Sequence, residues 1–419
     1  MNAKWRMTIV KTARKLWFRA TMYGSLGIFS ALIGAVAKPL LPAGIATKIG
    51  AAAVGNILGI LAASMLAVTT FSLSTMVAAY AAASTSATPR ASTLLIEDSG
   101  AQRALSTFIG AFLFSIVGLI ALSTGIYGDS GRLILFAATV LIIVMIVATL
   151  LRWIDYLSRL GRVGETVDRV EQAAREAMRK LARAPSLRAV AYIGTAPADA
   201  VPLESPTIGY VTLVDVKALQ DIAAKNDVKV WIEVLAGNFV APGRPLMKIS
   251  RAIDEQVATQ LRGAVSVGDT RDYAQDPRFG LIVLTEIAQR ALSPAINDPG
   301  TAIDIIGTVT RLLCGWAAAR QKTEPENALY DRVFVRLLSE RDFFEDVYAP
   351  LSHDSAGSLE VSIRLQKSLA TLGQLGYPPF REPACDHAAR SLQFTDTSIT
   401  LASDRGHLAD IASWRAVSS

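Results

Sequence analysis

The amino-acid sequence predicts a membrane α-helical region of four transmembrane helices, followed by a cytoplasmic α+β domain with a small β-sandwich-like module and a helical carboxyl-terminal region. Three observations support this fold class. The 419-residue chain is 51% hydrophobic, which is high for a soluble protein. Most of the apolar excess lies before position 151, and most of the charged residues follow it. Positions 185–250 are rich in turn-forming and β-branched residues, and helix-periodic patterns come after them.

The composition divides the chain into four parts. Residues 1–152 form a transmembrane domain, 153–184 a juxtamembrane helix, 185–250 a linker with a small β module, and 251–419 a helical cytoplasmic domain. A helix needs about 20 apolar residues to cross the hydrocarbon core of a bilayer. Four runs meet this requirement, at residues 18–37, 49–83, 104–127 and 133–151.

Basic residues predict the orientation of the spans, because Lys and Arg concentrate in cytoplasmic loops. Six of them lie within the first 19 positions, and Arg152, Arg159 and Arg162 follow the fourth span. Both termini are therefore expected in the cytoplasm. The first apolar run ends at Lys38-Pro39 without the small residues of a cleavage site, so we interpret it as a retained span.

The second span has an unusual composition, because no charged residue occurs between Ile49 and Pro89. The small residues that permit close helix packing are Gly55, Gly59 and Ala63, and the polar residues near a common face are Asn56, Thr70 and Ser74. Two interpretations are open. Either the hydroxyl groups bond to carbonyls of their own helix and the small residues pack against neighbours, or the polar face lines a water-filled path.

The juxtamembrane helix carries a heptad pattern of apolar residues, at Leu160, Val163, Val167, Val170, Ala174, Ala177 and Leu181. Such a stripe predicts either a short parallel coiled coil that joins subunits or packing against the chain's own cytoplasmic domain. The alanines make an independent coiled coil marginal, so we favour packing within the chain.

The predicted β module contains strands near Gly209–Val216 and Val228–Leu235, with a short helix between them. The segment GNFVAPGRPL, residues Gly237–Leu246, is typical of a strand–turn–strand unit. It resembles the half-motif of biotinyl and lipoyl β-sandwich domains. Because no Lys flanked by Met stands at a hairpin tip, we expect a structural module without a bound cofactor.

Helical periodicity dominates after residue 251. The predicted helices are Ile253–Val267, Arg278–Leu292, Pro299–Ala319, Asn327–Tyr348 and Leu359–Leu375. The three histidines, His353, His387 and His407, are expected in loops or at helix ends.

A bend joins two of these helices in the segment RALSPAINDP, residues Arg290–Pro299. Ser-Pro ends the first helix, and Asn297 or Asp298 is placed to cap the next, with Pro299 at its first position. The polar residues grouped around this bend are Glu286, Arg290, Asn297, Asp298 and Asp304. They form either an architectural bend, an Arg–carboxylate clamp, or a site for a divalent cation or small ligand.

The bend also resembles the hallmark of a bacterial membrane-protein family, domain of unknown function 2254. Further segments that carry the resemblance are Pro89-Arg90, GNFVAPGRPL and Asp276–Phe279. The resemblance implies a bacterial inner-membrane protein with several amino-terminal spans and a cytoplasmic carboxyl-terminal domain. It implies no established reaction.

Several function classes are disfavoured. The sequence has no phosphate-binding loop with a Lys and no nucleophile elbow, which argues against an enzyme of those classes. No basic patch interleaved with aromatic residues predicts nucleic-acid binding, and two distant cysteines fit reduced thiols. The spans hold no carboxylate or Lys for a proton relay, which argues against an energy-coupled pump.

Two hypotheses remain for a protein whose expected partners are the lipid bilayer, copies of itself and an ion or small ligand. The first is a homo-oligomeric channel or passive pore, with a cytoplasmic domain that assembles or gates it. The second is a non-catalytic scaffold or sensor that is anchored in the membrane and binds a ligand or partner through its cytoplasmic domain.

Overall fold

The structure is a computed structural model that describes residues 21, 25, 50–96, 99–124, 129–323 and 328–417. The first predicted span, residues 18–37, therefore lies outside the described residues apart from Thr21 and Ser25. The described residues divide into two compact units. One holds residues 50–85 and 91–166, and the other holds residues 86–90 and 167–417.

The first unit consists of long apolar helices. They are α1 (Ala51–Ser86), α2 (Pro89–Ile96), α3 (Ser99–Ser123) and α4 (Asp129–Arg159). By length and composition, α1, α3 and α4 can each cross a membrane, which agrees with the second, third and fourth predicted spans. At 36 residues, α1 is about 54 Å long, well beyond the thickness of the hydrocarbon core.

Large side chains of α3 form the centre of this unit. Phe108 and Phe114 are fully buried, and Leu58 of α1 and Leu135 of α4 are buried near them. The Trp153 indole N–H of α4 donates to the Ser72 hydroxyl of α1 across 2.9 Å. This buried hydrogen bond fixes α4 against α1, because breaking it would leave polar groups unpaired in an apolar interior.

The heptad helix is α5 (Val163–Arg183), and Gly161 separates it from α4 in a left-handed conformation with φ of 85°. From Val167 onward its apolar stripe is buried within the second unit. Gly280 lies so close to Ala174 that a Cβ atom at position 280 would stand 2.9 Å from the Ala174 Cα. The stripe therefore packs against its own chain, as we favoured, and is not available for a coiled coil.

Eight strands form two sheets in the second unit. The strands are β1 (Ala189–Tyr192), β2 (Val201–Glu204), β3 (Gly209–Val214), β4 (Val230–Ile232), β5 (Phe239–Val240), β6 (Pro245–Ile249), β7 (Val265–Gly268) and β8 (Tyr330–Arg336), with helices α6 (Val216–Lys225) and α7 (Glu255–Gly263) between them. One sheet has the order β1-β8-β4-β6-β2, and the other has the order β5-β3-β7. β8 pairs in parallel with both β1 and β4, and the other pairs are antiparallel.

Both sheets contribute to one hydrophobic core. Val211 of β3, Val230 of β4, Met247 of β6 and Val335 of β8 all belong to it. This arrangement agrees with the predicted β-sandwich-like module. The boundary that we predicted at residue 250 differs from the structure, however, because β7 and β8 come from the part predicted to be helical.

The prediction of a helix over Asn327–Tyr348 is wrong in its first half. Residues 330–336 form β8, in which Val333 and Val335 alternate with more exposed residues and face the core. A strand inserted between two others gains ladder hydrogen bonds that local helical periodicity does not reveal. The predicted helix Ile253–Val267 is likewise shortened, because its last residues belong to β7.

The remaining helices form the helical region. They are α8 (Pro277–Leu292), α9 (Pro299–Gln321), α10 (Arg341–Asp354), α11 (Leu359–Gly373), α12 (Pro378–Ser398) and α13 (Ala402–Ile411), followed by a 3₁₀ helix (Ala412–Val417). A chain of hydroxyl groups joins three of them, because Ser368 of α11 bonds to both Thr310 of α9 and Tyr348 of α10 at 2.6 Å. His387 lies buried within α12, unlike our expectation for it, and this burial lowers the pKa of its imidazole.

Length and composition would also allow α9 to cross a membrane. Its packing argues otherwise, since it lies between α8 and α11 and buries Ile306, Leu313 and Trp316. The helix also carries Arg311, which is paired with Glu171 of α5. We therefore interpret α9 as part of the helical region.

Candidate functional site

The predicted bend is closed by local hydrogen bonds. The Ser293 N–H and hydroxyl both donate to the Arg290 carbonyl, and Asn297 adopts a left-handed conformation with φ of 50°. The Asp298 carboxylate then caps α9 by accepting from the Thr301 N–H at 3.1 Å and the Thr301 hydroxyl at 2.6 Å. These bonds hold the pKa of Asp298 below its usual range. Of the two residues predicted as possible caps, Asn297 and Asp298, the structure shows that Asp298 is the cap.

Glu286 of α8 contacts the segment that joins α1 to α2. Its carboxylate forms an ion pair with Arg90 and accepts a 3.3 Å hydrogen bond from the Thr88 hydroxyl. The Tyr273 hydroxyl donates to the Arg90 carbonyl, also at 3.3 Å. Burial, with the negative charge of Glu286, raises the pKa of Tyr273 and keeps it a donor. We call these four residues the Arg90–Glu286 cluster.

The other residues predicted at the bend do not join this cluster through any hydrogen bond that the structure shows. Asp304 is exposed, and its carbonyl accepts from the Thr308 hydroxyl. The Arg290 Nε is buried without a hydrogen-bond partner among the described residues. Within the described ranges, no group of three or more His, Cys, Asp or Glu residues could hold a metal ion. The carboxylates of Glu286 and Asp298 are instead engaged with separate protein groups, and ligand binding at the bend stays a prediction.

A second polar cluster fixes the start of α8. Asp276 is 1% exposed and accepts from Arg271 Nε at 2.7 Å and from the backbone N–H groups of Arg278 and Phe279. Burial raises the pKa of its carboxyl group, and the Arg271 guanidinium opposes that shift. Gly237 in the GNFVAPGRPL turn has φ of 92° and packs so tightly here that a Cβ would meet the Asp276 carboxylate. This contact joins the β region to the helical region.

Arg278 extends that connection to α10. Its guanidinium forms two hydrogen bonds with Asp346, at 2.6 and 2.8 Å, and one with Asp342 at 2.7 Å. Bidentate pairing of this kind constrains geometry as well as charge. The segment Asp276–Phe279 therefore connects the GNFVAPGRPL turn, α8 and α10, and we call it the clamp. Both of its charged side chains, Asp276 and Arg278, form ion pairs.

The residues predicted to line a pore lie on exposed positions of α1. Asn56, Thr70 and Ser74 are all exposed in the single chain. The Thr70 hydroxyl bonds to the Leu66 carbonyl one turn earlier. The hydroxyl groups of Thr69 and Thr75 do the same within α1. Back-bonding of this kind agrees with the first of our two interpretations.

The small residues of α1 have unequal surroundings. A Cβ at Gly55 would touch Leu122 of α3 at 3.5 Å, whereas a Cβ at Gly59 would meet nothing within 4 Å. Ala63 is exposed. Among the described residues, only Gly55 of these three has a close packing neighbour on another helix.

A comparison with protein families finds one family along most of the chain. Residues 13–371 match the family described as Predicted membrane protein (DUF2254). The chain belongs to this family. The match covers the second, third and fourth predicted spans, the GNFVAPGRPL turn, the clamp at Asp276 and the bend, and so confirms the resemblance seen in the sequence.

Relatives of this DUF2254 chain occur in mycobacteria. Uncharacterized proteins of Mycobacterium bovis and Mycobacterium tuberculosis are each 38% identical to it over 116 residues, or 26% of this chain. The matched segment spans 22% of the length of those relatives. No solved structure matches the chain.

Sequence reasoning on this DUF2254 protein missed Thr88, Arg90 and Tyr273 as partners of Glu286. The residues Thr88 and Glu286 are 198 positions apart, so no local pattern connects them. One signal was present, because Pro89-Arg90 is among the segments that carry the family resemblance. A charged residue directly after a long uncharged span, such as Arg90, is expected to have its ion-pair partner outside that span.

Proposed function

We propose that the protein is a homo-oligomeric channel or passive pore of the bacterial inner membrane, with α1 along the path and a cytoplasmic domain that assembles or gates it. A contrast between the exposed faces of α1 and α4 carries this proposal. The family assignment supports a membrane protein, and the pore goes beyond it.

The exposed face of α4 is suited to lipid. Leu141 is 70% exposed, Val144 61% and Leu151 65%, so long apolar side chains cover this surface. Apolar side chains of this kind partition favourably from water into the acyl chains of the bilayer. We therefore expect this face of α4 to form the lipid boundary.

The exposed face of α1 differs from that of α4. It presents Asn56, Ala63, Thr70 and Ser74 at intervals of seven, seven and four residues, which places them close to one side of the helix. Large apolar residues, Ile60, Phe71 and Val77, are exposed beside them, about 40–60° around the helix from Asn56, so the exposed surface of α1 mixes small, polar and apolar side chains. Small and polar side chains favour a second helix or water over lipid. Several copies of the chain, with these faces turned inward, would create an uncharged path.

The Arg90–Glu286 cluster supports a gating role for the cytoplasmic domain. Its members Thr88 and Arg90 are covalently continuous with α1 and α2, and Glu286 belongs to α8. A displacement of α8 would therefore act on the end of the proposed path-lining helix. Because α1 has no ionisable carboxylate or Lys, we propose passive movement of solute with no chemical step.

Cysteine accessibility in planar bilayers tests the proposal. The background is the full chain with Cys314→Ser and Cys385→Ser, which removes both native thiols. A charged, membrane-impermeant thiosulfonate reacts only with a thiol that reaches water. It should reduce the current of Thr70→Cys and Ser74→Cys. The matched control, Val144→Cys on the lipid-facing side of α4, should keep its current.

Two results would contradict the proposal. One is a stable monomer in mild detergent and in nanodiscs, because one chain with so few spans cannot enclose a path. The other is an intact oligomer with no conductance under any voltage, pH or ion gradient, which would favour the scaffold or sensor hypothesis.

A further inference from the structure

A cavity of about 470 Å³ lies between α5 and α9. None of its lining residues belongs to the bend or to the clamp. Five cationic side chains line it, and the lining residues that the structure describes include no Asp or Glu. They are Arg175, Arg179, Arg183, Arg311 and Lys322. Its volume falls within the range of small-molecule sites, about 300–1,000 Å³.

The cationic side chains of the cavity repel one another when no anion is bound. Arg175, Arg179 and Arg183 follow each other at intervals of four residues, so they stand on one face of α5. Like charges at this spacing repel each other. Glu171 offsets part of that repulsion, because it pairs with both Arg175 and Arg311. In the part of the chain that the structure describes, Arg179, Arg183 and Lys322 show no ion pair.

The floor of the cavity is apolar and preformed. Met178, Leu312 and Trp316 line it and are buried. Trp316 is 3% exposed, and its indole Nε1 has no hydrogen-bond partner among the described residues. Its ring packs edge-to-face against Phe343, with the ring centroids 5.0 Å apart, so the floor of the cavity is partly aromatic.

Contacts at both ends hold the two helices in place. At one end the Arg311 guanidinium donates to Glu171 at 2.9 Å. At the other end the Thr323 hydroxyl donates to the Ala182 carbonyl at 3.1 Å. A ligand therefore need not organise the walls, which lowers the entropic cost of binding.

We propose that this cavity binds a phosphate-bearing anion whose attached group is apolar or aromatic. The guanidinium and ammonium groups bind the phosphate oxygens, and the floor around Trp316 receives the attached group. Such chemistry has two sources, a free phosphate ester or the headgroup of an anionic lipid. The site goes beyond the proposed pore, and its occupancy is measured without any conductance.

Binding to the full chain in nanodiscs tests the proposal. One arm titrates pyrophosphate and ADP by calorimetry in nanodiscs of phosphatidylcholine. The other arm compares nanodiscs with and without phosphatidylglycerol, and follows hydrogen exchange of peptides from residues 175–183 and 311–323. The test variant is Arg179→Gln with Arg183→Gln, two exposed positions. The matched control is Arg364→Gln with Lys367→Gln on α11, which removes the same charge from exposed positions outside the cavity lining.

We expect binding in at least one arm, an affinity about tenfold weaker in the test variant, and a control close to the wild type. Trp316→Leu removes the aromatic ring that lines the cavity but keeps an apolar side chain, so it should weaken ADP more than pyrophosphate if the free ester is the ligand. Protection only with phosphatidylglycerol supports the lipid source. Absence of binding in both arms, or equal loss in the test and control variants, overturns the proposal.

Discussion

Because Gly280 has no side chain, α8 can pack directly against Ala174 of α5. We predict that Gly280→Ala destabilises the protein, because overpacking costs about 1–3 kcal/mol and the higher helix propensity of Ala returns only about 1 kcal/mol. Adding Ala174→Gly should recover only part of the lost stability, since it removes the Ala174 Cβ but leaves the Ala174 Cα 2.9 Å from the new methyl group. Thermal unfolding of the full chain in detergent measures this. A double variant no more stable than Gly280→Ala would show that the two helices do not meet at these residues.

Other single residues show what local sequence can predict. The sequence predicted Asn297 or Asp298 as the cap of a helix and Pro299 as its first residue, because capping depends on backbone groups only a few positions away. Arg290 and Asp304 were grouped with them by proximity in sequence, yet one has a buried unpaired Nε and the other is exposed. The direction of a side chain from a helix is decided by what packs around it, which the local pattern does not contain.

At the scale of elements, the Arg90–Glu286 pair is a testable connection between α8 and the segment after α1. Arg90 is 53% exposed and Glu286 27%, so the pair should contribute only about 0.2–1 kcal/mol. We predict that Arg90→Glu and Glu286→Arg each increase hydrogen exchange in residues 86–90, because each variant brings like charges together. The double exchange should recover protection. Disrupting the exposed Lys217–Asp221 pair of α6 with Lys217→Glu is the control and should leave this segment unchanged.

If either single variant leaves exchange in residues 86–90 at the wild-type rate, the cluster does not hold this segment. Recovery in the double variant separates a charge interaction from a general loss of packing, because only an interaction between the two positions is non-additive.

The elements also show which parts of the fold hydrophobic periodicity predicts and which it does not. Long apolar helices were predicted well, since α1, α3 and α4 each satisfy a simple requirement on length and hydropathy. Strand β8 was missed, because it is specified by its two parallel neighbours, β1 and β4, from positions about 100 or more residues earlier in the chain. Short parallel strands depend on such distant partners, and their local sequence resembles a buried helix.

At the scale of the whole molecule, composition separates an apolar part from a charged part, but the contacts in the structure place the boundary differently. Residues 86–90 belong with residues 167–417, although they lie between apolar helices in sequence. Their placement depends on Glu286 and Tyr273, which no hydropathy profile identifies.

Topology decides on which side of the membrane these features act. The basic residues near the amino terminus and after α4 predict that residues 163–419 lie in the cytoplasm. A green fluorescent protein fused after Ser419 should therefore fluoresce in a bacterial host, and alkaline phosphatase at the same position should be inactive. Alkaline phosphatase fused after Tyr127, between the third and fourth predicted spans, should be active and serves as the control. Active phosphatase at Ser419 would place the basic cavity and the Arg90–Glu286 cluster outside the cell interior, and cytoplasmic phosphate esters could then not reach the cavity.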